Sequence, residues 1–127
     1  LSNSHHFKKD IASIDYDITI TIKSDDEDNI EFKKNNIKQL LLKVSDAQRL
    51  INKLTPSILV IKSRARSDIK NFEQALFSRG YYDAQIKYSL DNESEQLILE
   101  YQVNLGHHYH IKTVKLFISP NASLSNK

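Results

Sequence analysis

The sequence predicts a two-layer α+β domain in which helices cover one face of a small sheet. Three observations carry this. Residues 15–23, 84–90 and 97–103 alternate apolar and polar side chains with period two, as half-buried strands do. Between the first and second of these stretches, apolar residues recur at helical spacing. Finally Gly80, one of only two glycines, stands where the helical period gives way to the alternating one. A helix and a sheet each have an apolar side to bury, and laying one on the other satisfies both.

Composition bounds the reading. A chain of 127 residues makes one domain, with room for a fragment of another. At 39% hydrophobic and 27% charged it can build a packed core. A net charge of +2 is too mild to imply nucleic acid or an anionic membrane as partner. No run of about 20 apolar residues crosses a bilayer. The opening LSNSHHFKKD is polar, which places any export leader outside this sequence or already removed. The absence of cysteine excludes a disulfide framework and thiolate metal sites without fixing the compartment.

The elements follow in order. Residues 1–15 show no clear period until the first strand and read as a flexible lead-in. Ile18, Ile20 and Ile22 then share one face of a strand, with Asp17, Thr19, Thr21 and Lys23 on the other. Residues 24–29, SDDEDN, read as an acidic, solvated loop. A calcium site of EF-hand type would need a glycine and a closing glutamate that this loop lacks. From Asn35 the period becomes helical through Ile37, Leu40, Leu41 and Val44. Ser45 and Gln48 have the form of a capping box, and Ala47, Leu50, Ile51 and Leu54 continue an apolar face. That gives either two short helices or one bent near Ser45.

The next helix is the best punctuated. Thr55 is suited to cap it and Pro56 to its first position, where a missing N–H costs nothing. Ile58, Ile61, Ala65, Ile69, Phe72 and Leu76 form one stripe, which favours helix over strand for the run SILVI. Gly80 closes it, because glycine adopts positive φ without Cβ strain. Tyr81 and Tyr82 then place amphipathic rings at the helix–sheet junction. In the second strand Ala84, Ile86, Tyr88 and Leu90 face inward, against Gln85, Lys87 and Ser89. After a polar turn, Leu97, Leu99, Tyr101 and Val103 face inward in a third strand. Ile98 on its other side suits a central position. A turn at residues 104–106 precedes another strand-like run, residues 107–118, and a polar tail.

Little of this points to catalysis. Nothing resembles a nucleophile elbow, and two glycines leave little for oxyanion or phosphate loops. HHYH invites zinc, yet on a strand His108 and His110 share a face while His107 points away. No cysteine or acid lies near in sequence, so a surface or linker cluster is the simpler reading. His5 and His6 read as a flank. KSRARSDIK, residues 62–70, reads as charges spread around a helix's solvated side rather than a phosphate site. Tyr88 and Tyr101 read as core rather than as a stacking platform for bases. No cofactor is expected, and the chain does not read as an enzyme.

Gly80–Tyr81–Tyr82 at the end of the second helix, the alternating strand pair after it and the V-x-x-G turn at Val103 to Gly106 carry a resemblance. Together with the element order, they resemble a POTRA (polypeptide-transport-associated) domain of the outer-membrane protein insertase superfamily. The TP at Thr55 and the RAR at Arg64 to Arg66 are most similar to the first POTRA of TamA-type proteins. The resemblance covers residues 16–106. It implies a βααββ order with helices on one face of a small mixed sheet. Residues 107–119 would be the first strand of a following, truncated POTRA-like domain, with residues 120–127 a tail.

The resemblance further implies a module on the periplasmic side of the bacterial outer membrane. It would bind outer-membrane protein clients or an assembly partner, beside adjacent POTRA domains and a C-terminal barrel. In that fold the second strand is a free edge, which makes Ala84, Gln85, Ile86, Lys87, Tyr88, Ser89 and Leu90 the expected protein-binding residues. Gly80, Tyr81, Tyr82 and Gly106 would be structural. A POTRA-like module of a division protein or a two-partner secretion transporter is an alternative. A nucleic-acid-binding α+β domain of KH or RRM type is a further one, for which the sequence offers neither a G-x-x-G loop nor exposed aromatics flanked by basic residues.

Overall fold

The structure, a computed structural model, describes residues 12–26, 30–92 and 96–109. Its elements are β1 (Tyr16–Lys23), α1 (Ile30–Val44), α2 (Asp46–Arg49), α3 (Ile58–Phe77), β2 (Gln85–Asp91) and β3 (Leu97–Asn104). The protein is α+β with a small mixed sheet, as the alternating and helical periods require. The order is βαααββ rather than βααββ, because the break at Ser45 isolates a separate single turn, α2.

The sheet order is β1–β3–β2. β1 runs parallel to β3 from Tyr16↔Leu97 to Lys23↔Asn104, and β2 runs antiparallel from Gln85↔Asn104 to Asp91↔Ile98. Both registers keep side-chain parity. Ile20, Tyr101 and Tyr88 therefore lie abreast on the helix-covered face, and Thr21, Gln102 and Lys87 abreast on the other. Leu41, Ile61, Ala65, Phe72, Leu76, Leu99 and Tyr101 are fully buried between the layers. The Phe72 and Tyr101 rings meet edge to face, 4.9 Å between centroids. Each large side chain so buried stabilises the fold by about 1.5–3 kcal/mol.

Several boundaries differ from expectation. α1 begins at Ile30, ahead of Asn35. Its first turn mixes good helix formers, Glu31 and Lys33, with poorer ones, Ile30 and Phe32, and Glu31 lies at the positive end of the helix dipole. Only half of the capping box forms. Ser45 Oγ accepts the Gln48 N–H at 3.0 Å, while the Ser45 N–H turns to Leu42 O at 3.4 Å. α3 starts after Ser57 rather than at Thr55 and Pro56. Thr55 is otherwise occupied: it is fully buried, its N–H donates to Ser13 Oγ at 3.0 Å, and its carbonyl accepts the Ile14 N–H at 2.8 Å. Those bonds also fix Ser13 and Ile14, which were expected in a flexible lead-in.

At the other end of α3 the expectation holds. Gly80 has φ +93°, its N–H reaches Phe77 O at 3.1 Å, and the Tyr81 N–H reaches Leu76 O at 2.9 Å. This pair of bonds closes a helix on a left-handed glycine. Residues 107–109, expected to open a strand, have no regular structure and are bound to this domain. The Tyr109 N–H donates to Gly80 O at 2.9 Å and the His108 N–H to Asp26 Oδ2 at 3.1 Å. The rest of that expected strand, residues 110–118, lies outside the described residues. So do residues 1–11 with His5 and His6, much of the acidic loop, and His110.

Candidate functional site

β2 occupies one edge of the sheet and pairs with β3 alone among the described strands. Alternation decides what it shows. Ile86 is buried and Tyr88 and Leu90 are half-buried under α3, while Gln85, Lys87 and Ser89 are exposed on the open face. Ala84, expected within the strand, lies just before it and is half-buried. Beside β2 the open face forms a polar trough of about 270 Å³. Gln85 and Lys87 line it together with Thr21, Lys23, Glu100 and Gln102. No described strand pairs with the outer edge of β2, whose main-chain groups can therefore accept a further strand.

Both glycines lie where the segment after β3 approaches the turn after α3. A Cβ on Gly80 would lie 2.5 Å from Tyr109 O and 3.1 Å from the His108 ring. One on Gly106, at φ +67°, would lie 3.0 Å from Asp83 Cβ. The segment after β3 thus crosses tightly over the turn after α3. The crossing stacks His108 on Tyr81 at 4.5 Å and Tyr109 on Tyr82 at 5.6 Å, with Phe77 against Tyr82 at 4.6 Å. Tyr81 is buried as expected. Tyr82, Phe77 and Tyr109 are exposed, so the aromatic junction is half core and half surface. The Tyr109 hydroxyl donates to Asp83 Oδ2 at 2.8 Å, which raises its ionisation above the ordinary tyrosine range. Burial, and then the nearby Asp26 charge, does the same for Tyr81.

The sequence matches no protein-family model, and no curated protein matches it.

A second polar centre, not foreseen from sequence, lies inside the domain. Asp68 is fully buried on α3. Its Oδ2 accepts Ser45 Oγ at 2.5 Å, Tyr101 Oη at 2.6 Å and the Ala47 N–H at 3.3 Å, and its Oδ1 accepts the Asp46 N–H at 2.5 Å. Arg64, one turn earlier, donates to Tyr16 Oη at 3.1 Å and Thr55 Oγ1 at 2.9 Å, and Tyr16 Oη donates to Ala47 O at 2.7 Å. The basic stretch at residues 62–70 is therefore not a uniformly solvated face. Asp68 sits in the stripe of Ile61, Ala65, Phe72 and Leu76, a phase visible in the sequence; the stripe was read for apolar residues only.

This centre is closed. No buried side-chain nitrogen or oxygen lacks a partner among the described residues, so nothing in it is held ready for a ligand. Nearby at the surface, Ser67 Oγ donates to Asp46 at 2.6 Å, which, ahead of the Arg49 contact, lowers the Asp46 ionisation. His107 lies 3.6 Å from Asp26 and 3.9 Å from Asp25, but no group of three such side chains is placed to hold a metal ion among the described residues. No described helix is long and apolar enough to cross a membrane.

Proposed function

We propose that this chain is a POTRA-like docking module that takes up extended protein segments by adding a strand to β2. The observation that carries the reading is the sheet order. The longest-range pairing makes β3 the centre and leaves β2, with its solvent-facing Gln85, Lys87 and Ser89, as an edge. Main-chain pairing supplies affinity with little demand on the partner's sequence, which suits a module that meets many clients. On this reading the clients are outer-membrane proteins or an assembly partner. The compartment is the periplasmic side of the bacterial outer membrane, and neighbouring POTRA domains and a barrel complete the full-length protein. The role is binding rather than catalysis.

A titration of the ¹⁵N-labelled protein with a β-prone peptide tests this. Shifts are expected along β2, at Gln85 through Leu90. Lys87 stands mid-edge, where a charge discourages pairing, so Lys87→Thr should tighten binding. Peptide-induced shifts confined to the helices, or none at all, overturn the reading.

A further inference from the structure

The chain leaves the sheet through a short segment that is gripped from both sides. Leu105 is its fixed end: it is buried, and its N–H donates to Lys23 O at 2.8 Å. Gly106 follows at φ +67°, a backbone conformation that lets the segment turn sharply. Residues 106–109 then run between the loop after β1 and the turn after α3. On the β1 side, the Asp25 N–H donates to Gly106 O at 3.3 Å, and Asp26 Oδ2 accepts the His108 N–H at 3.1 Å. On the α3 side, Gly80 O accepts the Tyr109 N–H at 2.9 Å, Arg79 O meets His108 Nε2 at 2.8 Å, and Asp83 Oδ2 accepts the Tyr109 hydroxyl at 2.8 Å.

Two features make these grips one unit. No hydrogen bond joins residues 24–26 directly to residues 79–84 among the described residues, so beyond the end of the sheet this segment is the hydrogen-bonded bridge between them. A single residue also holds both sides. His108 uses its N–H on Asp26 and its ring on Arg79 O, and the ring stacks on Tyr81 at 4.5 Å. A carbonyl oxygen only accepts, so Nε2 carries the proton of that contact. Moving His108 therefore breaks the hold on both loops at once. The contacts of His108 Nε2 and of the Tyr109 hydroxyl are exposed, and segments held by such bonds open at far lower free energy than the core does.

We propose that residues 106–109 form a latch, hinged at Gly106 and pinned by His108, that opens in one step and releases residues 24–26 and 79–84 together. The interior stays closed in that step: Leu99 and Tyr101 are fully buried on a strand paired on both sides, with β1 and with β2. The latch is a conformational control at one end of the sheet. The turn it holds leads into β2, and the loop it holds leads into α1. Drawing residues 107–109 away thus loosens the entry to both elements through one movement. The inference uses no strand pairing at a sheet edge and stands without the docking role proposed above.

Native-state hydrogen exchange on the ¹⁵N-labelled full chain tests this, read as protection factors so that neighbour effects on intrinsic rates drop out. His108→Ala removes the ring's hold on the α3 side and keeps the main-chain N–H. Protection should fall by about three- to tenfold at Tyr109, as expected for loss of one hydrogen bond, and by the same factor at the Asp25 amide across the segment. Asp26→Ala removes a hold on the β1 side and should lower protection at Tyr109 as much as at Asp25. Tyr109→Phe loses only an exposed hydroxyl bond, is the mildest change to the fold, and should also lower protection at Asp25. The Leu99 and Tyr101 amides should keep wild-type protection in all three variants. Loss confined in each variant to the mutated side would show two independent contacts and overturn the latch. An equal loss at Leu99 and Tyr101, which is global destabilisation, or no loss at Asp25 and Tyr109 in any variant, would overturn it as well.

Discussion

The Tyr101 hydroxyl donates to Asp68 Oδ2 at 2.6 Å, and through this bond the central strand is tied to the carboxylate that organises the start of α2. The same two oxygens take one further hydroxyl and two main-chain N–H groups. A buried carboxylate is tolerable here because donors surround it.

Removing the acceptor should therefore cost far more than removing one donor. Asp68→Ala orphans two hydroxyls and two amides, each worth about 1–3 kcal/mol when left unpaired, so a loss of at least about 4 kcal/mol is expected. Tyr101→Phe removes one of four bonds and should cost about 1.5–3 kcal/mol. Urea unfolding of both variants measures the difference. Equal losses would show that the carboxylate is not the organising group.

The same pair sets a limit at alkaline pH. Burial, reinforced by the Asp68 hydrogen bond, raises the Tyr101 ionisation well above its ordinary 10.0. The unfolded chain releases that proton near pH 10 while the folded chain keeps it, so the unfolded state binds fewer protons. The contribution is complete below pH 10 and declines as pH rises beyond it, by about 1.4 kcal/mol per pH unit. Melting temperature followed from neutral to strongly alkaline pH should show this decline. In Tyr101→Phe the decline should be shallower, although that variant is weaker at neutral pH. An unchanged slope would rule out Tyr101 as its source.

Gly80 is constrained twice, by its positive φ and by the crossing segment. Left-handed strain alone costs a non-glycine residue about 1–2 kcal/mol. Because a Cβ would also meet Tyr109 O at 2.5 Å, Gly80→Ala should displace residues 107–109 as well as lower stability. Hydrogen exchange reads both effects, since the Tyr109 amide, bonded to Gly80 O, should lose its protection before the core does. Retained protection at Tyr109 would place the cost in the helix stop alone.

The two layers were legible because periodicity reports which face is buried. Ile20, Ile22, Leu99 and Val103 fell on the strand phase that packs, and Ile61, Ala65, Phe72 and Leu76 on the helix phase that packs. The stop at Gly80 was legible because only glycine makes left-handed backbone cheap. What escaped were features made by side chains distant in sequence. Asp68 stood in a buried phase, but its partners Ser45 and Tyr101 come from a helix cap and a strand that only the fold brings together. Thr55 looked like a cap because the bonds that occupy it come from Ser13, Ile14 and Arg64.

The parallel pairing of β1 with β3 has a kinetic consequence. Tyr16 meets Leu97 across nearly the whole described chain, whereas only residues 92–96 separate β2 from β3 in sequence. Closing a long loop costs entropy before any contact repays it, so the hairpin and its helix should assemble first and the N-terminal strand should dock last. In pulse-labelled refolding, amides of β3 that bond to β2 should gain protection ahead of those of β1. Simultaneous protection of both would instead place strand docking inside the rate-limiting step. A chain made from its N-terminus would thus hold its first strand unpaired until the last one has been synthesised. Through that interval β1, with its run of alternating isoleucines, is the segment most open to pairing with another chain.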